Sequence, residues 1–251
     1  MCHDHDSRPP APPRSLGDVG ERGTLTLTAA DGNRFSAAYA APAGTGRAGV
    51  VVLPDIRGLH PYYVALAERF AEAGLPAVAL DYFGRTAGLA ETGTRAEDFD
   101  WQQHIPQTTP EGVDADTTAA VEYLRSRTDP ALPVVTVGFC FGGSHAWRQS
   151  AGTLDIAGSA GFYGRPSVVG EAAEHAAKPV VMIIAGADVV TPVEEQRQLA
   201  ATMRAAGADV DEAVYDGAPH SFFDRAFGEW AQACDDAWQH VLALTDRAAA
   251  G

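Results

Sequence analysis

Val134-Val135-Thr136-Val137-Gly138-Phe139-Cys140-Phe141-Gly142-Gly143 decides the fold of this chain. Four β-favouring residues run into Gly-x-Cys-x-Gly, and Ser144-His145-Ala146-Trp147 then begins a helix. Strand, sharp turn and helix in this order make a nucleophile elbow, with cysteine at the tip where serine is more usual. Gly138 and Gly142 leave room for a turn too tight for side chains, so the tip residue can hold a strained backbone conformation. The helix N-terminus then lies beside the sulfur, and its amides favour thiolate over thiol. The competing reading is a buried cysteine in the Gly-rich strand–helix turn of any parallel sheet.

The segments on either side alternate between strand and helix. Upstream, Thr24 to Thr28 has period two, Asp31-Gly32 makes a turn, and Arg34 to Tyr39 returns, a hairpin pattern. Gly49-Val50-Val51-Val52-Leu53-Pro54 is the apolar run of a strand buried on both faces. A helix is expected from Pro61 to Ala73 with Gly74 past its end, then a strand from Leu75 to Leu80. Residues 86–112 are polar and irregular, the pattern of a lid or pocket wall, and an amphipathic helix follows from Asp114 to Arg127. Downstream, strands are expected over Ile156–Phe162, Pro179–Ala185 and Asp209–Tyr215, with helices over Pro192–Ala206 and Glu229–Arg247. This is one doubly wound, mostly parallel sheet with an antiparallel start, flanked by helices, in a single domain over residues 21–251.

Composition narrows the function. A formal charge of −15 argues against nucleic acid or an anionic membrane as partner. The three cysteines, at positions 2, 140 and 234, form no disulfide framework and fit a reducing cytoplasm. The N-terminus lacks the apolar core of a secretory signal, and no apolar run is long enough to span a membrane. Residues 1–20 are rich in Pro, Asp and Arg without periodicity, and a mobile or loosely packed tail is expected there. Its Cys2-His3-Asp4-His5-Asp6 run holds metal-ligand types, but a flexible tail supplies no second layer of contacts to orient them, so no metal site is expected.

Ligands of open α/β sheets bind beyond the carboxyl ends of the strands. Cys140, Asp188 and His220 fall on three such ends, in the order nucleophile, acid, histidine used by α/β-hydrolases. Singly, Asp188 could cap the helix near Pro192 and His220 could be a loop histidine; together they form a triad. Cys140 attacks an acyl carbon, His220 moves the proton, and Asp188 fixes the imidazole tautomer. The amides of Phe141, just past the nucleophile, and Ile56, after the Gly49–Leu53 strand, are the expected oxyanion donors.

The chain resembles the dienelactone hydrolase family. The match lies at Gly138-Phe139-Cys140-Phe141-Gly142-Gly143, Gly161-Phe162-Tyr163-Gly164, Gly186-Ala187-Asp188 and His220-Ser221-Phe222, with Leu53 to Gly58 and Asp81 to Arg85 in corresponding places. It covers about residues 20 to 245. The resemblance implies an α/β-hydrolase fold and a cysteine hydrolase opening an enol lactone or similar ester, without metal or organic cofactor. It also points to Asp55, Arg85, Tyr163 and Ser221 as substrate-binding positions. In the family a glutamate stands where Asp55 is, holds the resting thiol, and is displaced by the substrate carboxylate; Asp55 is one methylene shorter. Arg85 matches one arginine that binds this carboxylate. The second falls at Asp224, with Arg225 one residue later, and a carboxylate there would repel an anionic substrate. Arg57 is a candidate replacement or else an exposed loop arginine. Trp101 is a candidate for shaping a different acyl pocket, or a core residue; His104 reads as surface.

A second reading is therefore a carboxylesterase or thioesterase for neutral acyl groups. A third is a non-catalytic binding protein on a hydrolase scaffold, against which the intact triad speaks. The expected partner is a small ester or lactone, with the chain a monomer or homodimer.

Overall fold

Strands without polar alternation lie in the middle of the sheet. The computed structural model describes residues 7–251. In chain order the strands are β1 (Val19–Thr28), β2 (Arg34–Pro42), β3 (Gly49–Leu53), β4 (Ala77–Leu80), β5 (Val134–Phe139), β6 (Gly158–Phe162), β7 (Val180–Ala185) and β8 (Val210–Tyr215). They form one sheet in the order β1-β2-β4-β3-β5-β6-β7-β8. β1 pairs with β2, and β2 with β4, antiparallel; every later pairing is parallel. Every residue of β3, β5 and β7 is buried, as the apolar runs require of strands covered on both faces.

The helices are α1 (Pro61–Glu72), α2 (Gly84–Ala87), α3 (Pro110–Arg127), α4 (Phe141–Gln149), α5 (Pro166–Val169), α6 (Val193–Ala206) and α7 (Ala231–Ala250). Alternate strand residues take opposite faces: Val50 and Val52 pack with α1 and α7, whereas Val51 and Leu53 pack with α3 and α4. Trp147 of α4 and Met203 of α6 continue the second layer. The architecture is the doubly wound, mostly parallel α/β sheet that the sequence predicts.

Three boundaries differ for identifiable reasons. α3 starts at Pro110, four residues before the expected Asp114, because Thr109 caps it by accepting from Gly112 N and Pro110 suits the first turn. β1 starts at Val19, since its pairing with β2 extends to Val19–Pro42 around a bulge. Pro192 caps α6 from outside rather than opening it.

Residues 7–18 are docked rather than loose. Ser7, Pro9 and Pro10 are buried. Ser7 Oγ donates to Asp224, whose Oδ1 accepts from Arg8 N at 3.0 Å. Trp238 Nε1 donates to Pro10 O at 3.3 Å, and Leu16 N to Glu72 O at 2.8 Å. Buried Asp224 needs donors, and prolines lose little chain entropy on docking, so a polar, aperiodic segment packs despite its composition. The Cys2–Asp6 run lies outside the described residues.

Residues 86–112 form the expected pocket wall and are not wholly irregular. After α2 come two 3-10 turns, Trp101–Gln103 and Ile105–Gln107. Arg95 anchors the segment from below: it is buried, pairs with Asp81 at 2.8 Å, and lies over the Phe99 ring at 4.8 Å.

Candidate active site

Cys140 is the single residue between β5 and α4, with φ 51° and ψ −109°. Positive φ is costly for a residue with a Cβ, so the surrounding structure must hold it. Cys140 N donates to Phe162 O at 2.9 Å, and Cys140 O accepts from Ser144 N at 3.0 Å and Ser144 Oγ at 2.9 Å. Ser144 Oγ in turn accepts from Arg165 N at 2.8 Å, so the loop after β6 is bonded to the elbow. A Cβ on Gly138 would stand 2.1 Å from Gly142 O, and one on Gly142 2.1 Å from Leu53 O. Both glycines serve close backbone approach, as expected from the motif.

His220 Nδ1 lies 2.7 Å from Asp188 Oδ2. Asp188 Oδ1 accepts from Val190 N at 2.7 Å and Thr191 N at 3.1 Å, so the turn after β7 fixes the carboxylate's orientation. An ionised carboxylate only accepts, so Nδ1 carries the proton and Nε2 is the basic atom. Nε2 is buried and has no hydrogen-bond partner among the described residues. The Tyr163 ring packs on the imidazole with centroids 4.9 Å apart.

Cys140 and His220 both line a cavity of about 550 Å3, within the usual range for small-molecule sites. Ile56 and Phe141, the two expected oxyanion donors, line it too. Phe141 opens α4, so its amide has no intrahelical acceptor. Ile56 belongs to a segment tied down from β4: Tyr82 Oη donates its proton between Pro54 O and Asp55 O, the latter at 2.7 Å. Tyr82→Phe strands both buried carbonyls and is expected to lower stability by about 1–3 kcal/mol, read by urea unfolding; an unchanged midpoint would remove this tether from the account.

The other walls are apolar on one side and charged at the edges. Phe99, Trp101 and Ile105 come from the segment after β4, and Val168 and Val190 from those after β6 and β7. Asp55 is buried and chelates Arg57, whose Nε lies 3.1 Å and 3.2 Å from its two oxygens. Arg57 also stacks over Tyr62 and Tyr63, at 5.3 and 5.6 Å. Burial pulls the Arg57 pKa down, but the Asp55 charge more than offsets this and holds it raised. His60 caps α1 by accepting from Tyr62 N at Nδ1, so its Nε2 donates to Glu97 at 2.7 Å. Burial and then Arg57 lower the His60 pKa and keep it neutral.

A family model, that of the dienelactone hydrolase family, matches residues 35–248. The chain belongs to the dienelactone hydrolase family. Among curated relatives, proteins provisionally named carboxymethylenebutenolidase include one from Yersinia pestis, 25% identical over 206 residues covering 77% of this chain and 75% of that protein. Another from Azospirillum brasilense is 29% identical over 204 residues, covering 79% and 86%. A crystal structure from Klebsiella pneumoniae, provisionally named a dienelactone hydrolase, superposes with TM-score 0.75 at 20% identity, covering 90% of this chain and 99% of that one. A dienelactone hydrolase-like promiscuous phosphotriesterase from metagenomic libraries does so with TM-score 0.71 at 21% identity, covering 91% and 99%. At these identities the structures establish the fold. As a dienelactone hydrolase family member the chain is a hydrolase, and its helices, among the described residues, include none long and apolar enough to cross a membrane.

The expected substrate-binding positions divide. Asp55, Arg57 and Trp101 line the cavity; Arg85, Tyr163 and Ser221 do not. Arg85 corrects the expectation most plainly. Its guanidinium pairs with Asp116 at 2.8 Å and Asp31 at 2.6 Å, and its Nε donates to Gly112 O at 3.0 Å, joining α2 to α3 and the β1–β2 turn. Two carboxylates outbid any substrate anion. Arg85→Ala is thus expected to lower Tm while leaving the ratio of kcat/KM on anionic and neutral esters unchanged; a selective loss on the anionic ester would return Arg85 to the site. Asp224 is buried against Ser7, Arg8 and Ala226 and does not face the cavity, so the expected repulsion is absent. Tyr163 and Ser221 are buried, at φ 39° and 65°, and shape the backbone around His220. Glu97, Phe99, Ile105, Arg165 and Val190 line the cavity without having been singled out in the sequence; Arg165, directly after the Gly161–Gly164 match, had a positional signal.

His145, five residues past Cys140, is buried with neither ring nitrogen bonded among the described residues, and packs edge-on against Phe141 at 4.7 Å. Burial, then Arg148, lowers its pKa to about 3. The unfolded chain takes up this proton near pH 6.5 and the folded chain does not. Stability therefore falls as pH drops from 6.5 toward 3, by at most about 1.4 kcal/mol per pH unit. His145→Leu is expected to flatten the pH dependence of unfolding in that window; an identical slope would refute the buried neutral histidine.

Proposed function

We propose that this protein hydrolyses an ester or lactone through Cys140, His220 and Asp188, in one catalytic domain over residues 21–251. The carrying observation is His220: Nδ1 is bound to an oriented carboxylate, and Nε2 is buried and unpartnered among the described residues, beside a cavity that Cys140 also lines. A binding pocket has no need of an oriented base.

In the proposed reaction Nε2 takes the Cys140 thiol proton, and sulfur attacks the carbonyl carbon. A carbon–sulfur bond forms and the carbonyl oxygen becomes an oxyanion facing the amides of Phe141 and Ile56. Collapse breaks the carbon–oxygen bond, and His220 returns the proton to the leaving alcohol. Water, deprotonated by His220, then attacks the thioester carbon; the carbon–sulfur bond breaks, the acid is released, and the proton on His220 returns to the Cys140 sulfur. Asp188 supports the imidazolium in both halves. No metal or organic cofactor enters. A thiol nucleophile fits the reducing cytoplasm, and every named residue comes from one chain, so monomer and homodimer serve alike.

Neutral esters or thioesters are a favoured second reading within the same chemistry, because Arg85 and position 224 both face away from the cavity. The substrate test is kcat/KM on a dienelactone and on p-nitrophenyl acetate. Preference for the lactone supports the family substrate class; preference for the neutral ester supports a rebuilt pocket. Site-resolved alkylation separates catalysis from a silent scaffold: iodoacetamide should modify Cys140 far faster than Cys234, which is buried with a thiol pushed up to about 12, first by burial. Equal, slow rates would overturn the proposal.

A further inference from the structure

The cavity runs across the sheet, and the two halves of a substrate meet different chemistry in it. Cys140 follows β5. On one side the wall comes from segments after β3 and β4: Asp55, Arg57, Phe99, Trp101 and Ile105. On the other it comes from segments after β6, β7 and β8: Arg165, Val168, Val190 and His220. His220 delivers the proton to the leaving alcohol in the mechanism above, so the alcohol half occupies the β6–β8 side. The acyl half then faces Phe99, Trp101 and Ile105.

The arginines differ across this line. Arg57, on the acyl side, is neutralised by Asp55 and stacked on two tyrosines. Arg85, Arg95 and Arg148 are each tied to buried or half-buried carboxylates. Arg165 is different. Its backbone is fixed to the elbow by the Ser144 bond at 2.8 Å, yet its exposed side chain makes no hydrogen bond or ion pair among the described residues. It is a cation on the cavity wall, anchored through its backbone and unpaired among the described residues, in a protein of net charge −15.

Resting on the ester-hydrolase reading, we propose that Arg165 selects substrates whose alcohol half carries an anionic group, with an apolar or aromatic acyl half against Phe99 and Trp101. A guanidinium pairs with carboxylate or phosphate through two parallel hydrogen bonds, and the rigid attachment of its backbone limits the entropy lost on pairing. The same anion placed on the acyl half would meet Glu97 and an Arg57 already paired to Asp55.

The test compares three aryl esters on the full chain: a butyrate of 4-hydroxybenzoate, a butyrate of the neutral 4-hydroxybenzamide, and a succinate monoester of the neutral phenol. The readout is the ratio of kcat/KM on the anionic and neutral butyrates, in which general damage to the fold cancels. Arg165→Gln should lower that ratio about tenfold, and Arg165→Glu should lower it further. Added salt should lower it in the wild-type protein and not in Arg165→Gln. The succinate-to-butyrate ratio for the neutral phenol should move less than about twofold, as for a charge that Arg165 does not contact. An unchanged leaving-group ratio, or a shift confined to the succinate ester, overturns the proposal. Should no ester turn over, the hydrolase reading itself fails. Calorimetric binding of 4-hydroxybenzoate then decides: about tenfold weaker binding to Arg165→Gln supports an Arg165 anion site. Equal or absent binding overturns it.

Discussion

Cys140→Ala is expected to lower kcat/KM on any ester the protein turns over by about 10⁴-fold or more, close to the buffer rate. His220→Ala should fall equally far, and the double variant no further, because in the proposed mechanism the two residues perform one proton-coupled attack and neither half survives alone. Asp188→Asn is the sharper variant. Asp188 Oδ1 is held by the amides of Val190 and Thr191, so the asparagine oxygen must stay there to accept from them. Its amide nitrogen then faces His220 Nδ1 and donates to it. The imidazole is forced into the tautomer protonated at Nε2, which cannot take the thiol proton, and a loss of about 10⁴ is expected with the fold intact. Steady-state kinetics with thermal melts check all four variants. Substantial activity in Cys140→Ala, or near-normal activity in Asp188→Asn, would sink the triad.

Gly138→Ala is expected to cost more than about 4 kcal/mol, outside the ordinary range for a point substitution and a large part of a domain's typical 5–15 kcal/mol. Its Cβ would lie 2.1 Å from Gly142 O and 2.4 Å from Gly142 C, both backbone atoms of the turn that presents Cys140. No flexible side chain is available to yield, so either α4 or β5 must shift. For a chain of this size the loss corresponds to a fall in Tm of about 10 °C or more, or to a failure to accumulate folded. Gly44→Ala is the control: a Cβ there meets nothing within 4 Å among the described residues, and its Tm should hardly move. A Gly138→Ala variant as stable as wild type would mean that β5 and α4 are not as closely apposed as described.

Much of this was legible in the chain itself, for a local reason. β3, β5 and β7 announce burial on both faces through unbroken apolar runs. The elbow is legible because its geometry needs glycine at fixed offsets from Cys140, and such a need leaves a mark within five residues. Cys140, Asp188 and His220 could be picked out as a candidate set because each follows a strand, and strand ends in a parallel sheet converge on one edge. The sequence thus determined the sheet, the elbow and the order of the reactive groups.

What the tertiary structure decided is which charges remain available. Arg85 sits in a segment matching the family, yet Asp31 and Asp116, 54 and 31 residues away, claim its guanidinium. Asp224 appeared to threaten an anionic substrate, and Ser7 and Arg8, more than 200 residues distant in the chain, turn it into a buried anchor for the N-terminal segment. Arg165 had only its position after the Gly161–Gly164 match to mark it, and it stands out in the fold because no carboxylate among the described residues pairs with it. Pairing of charges depends on separations of a few ångströms between residues far apart in sequence, and electrostatic energy changes steeply over that range. Local pattern encodes where the backbone goes; only the assembled fold settles which side chains are left facing the cavity.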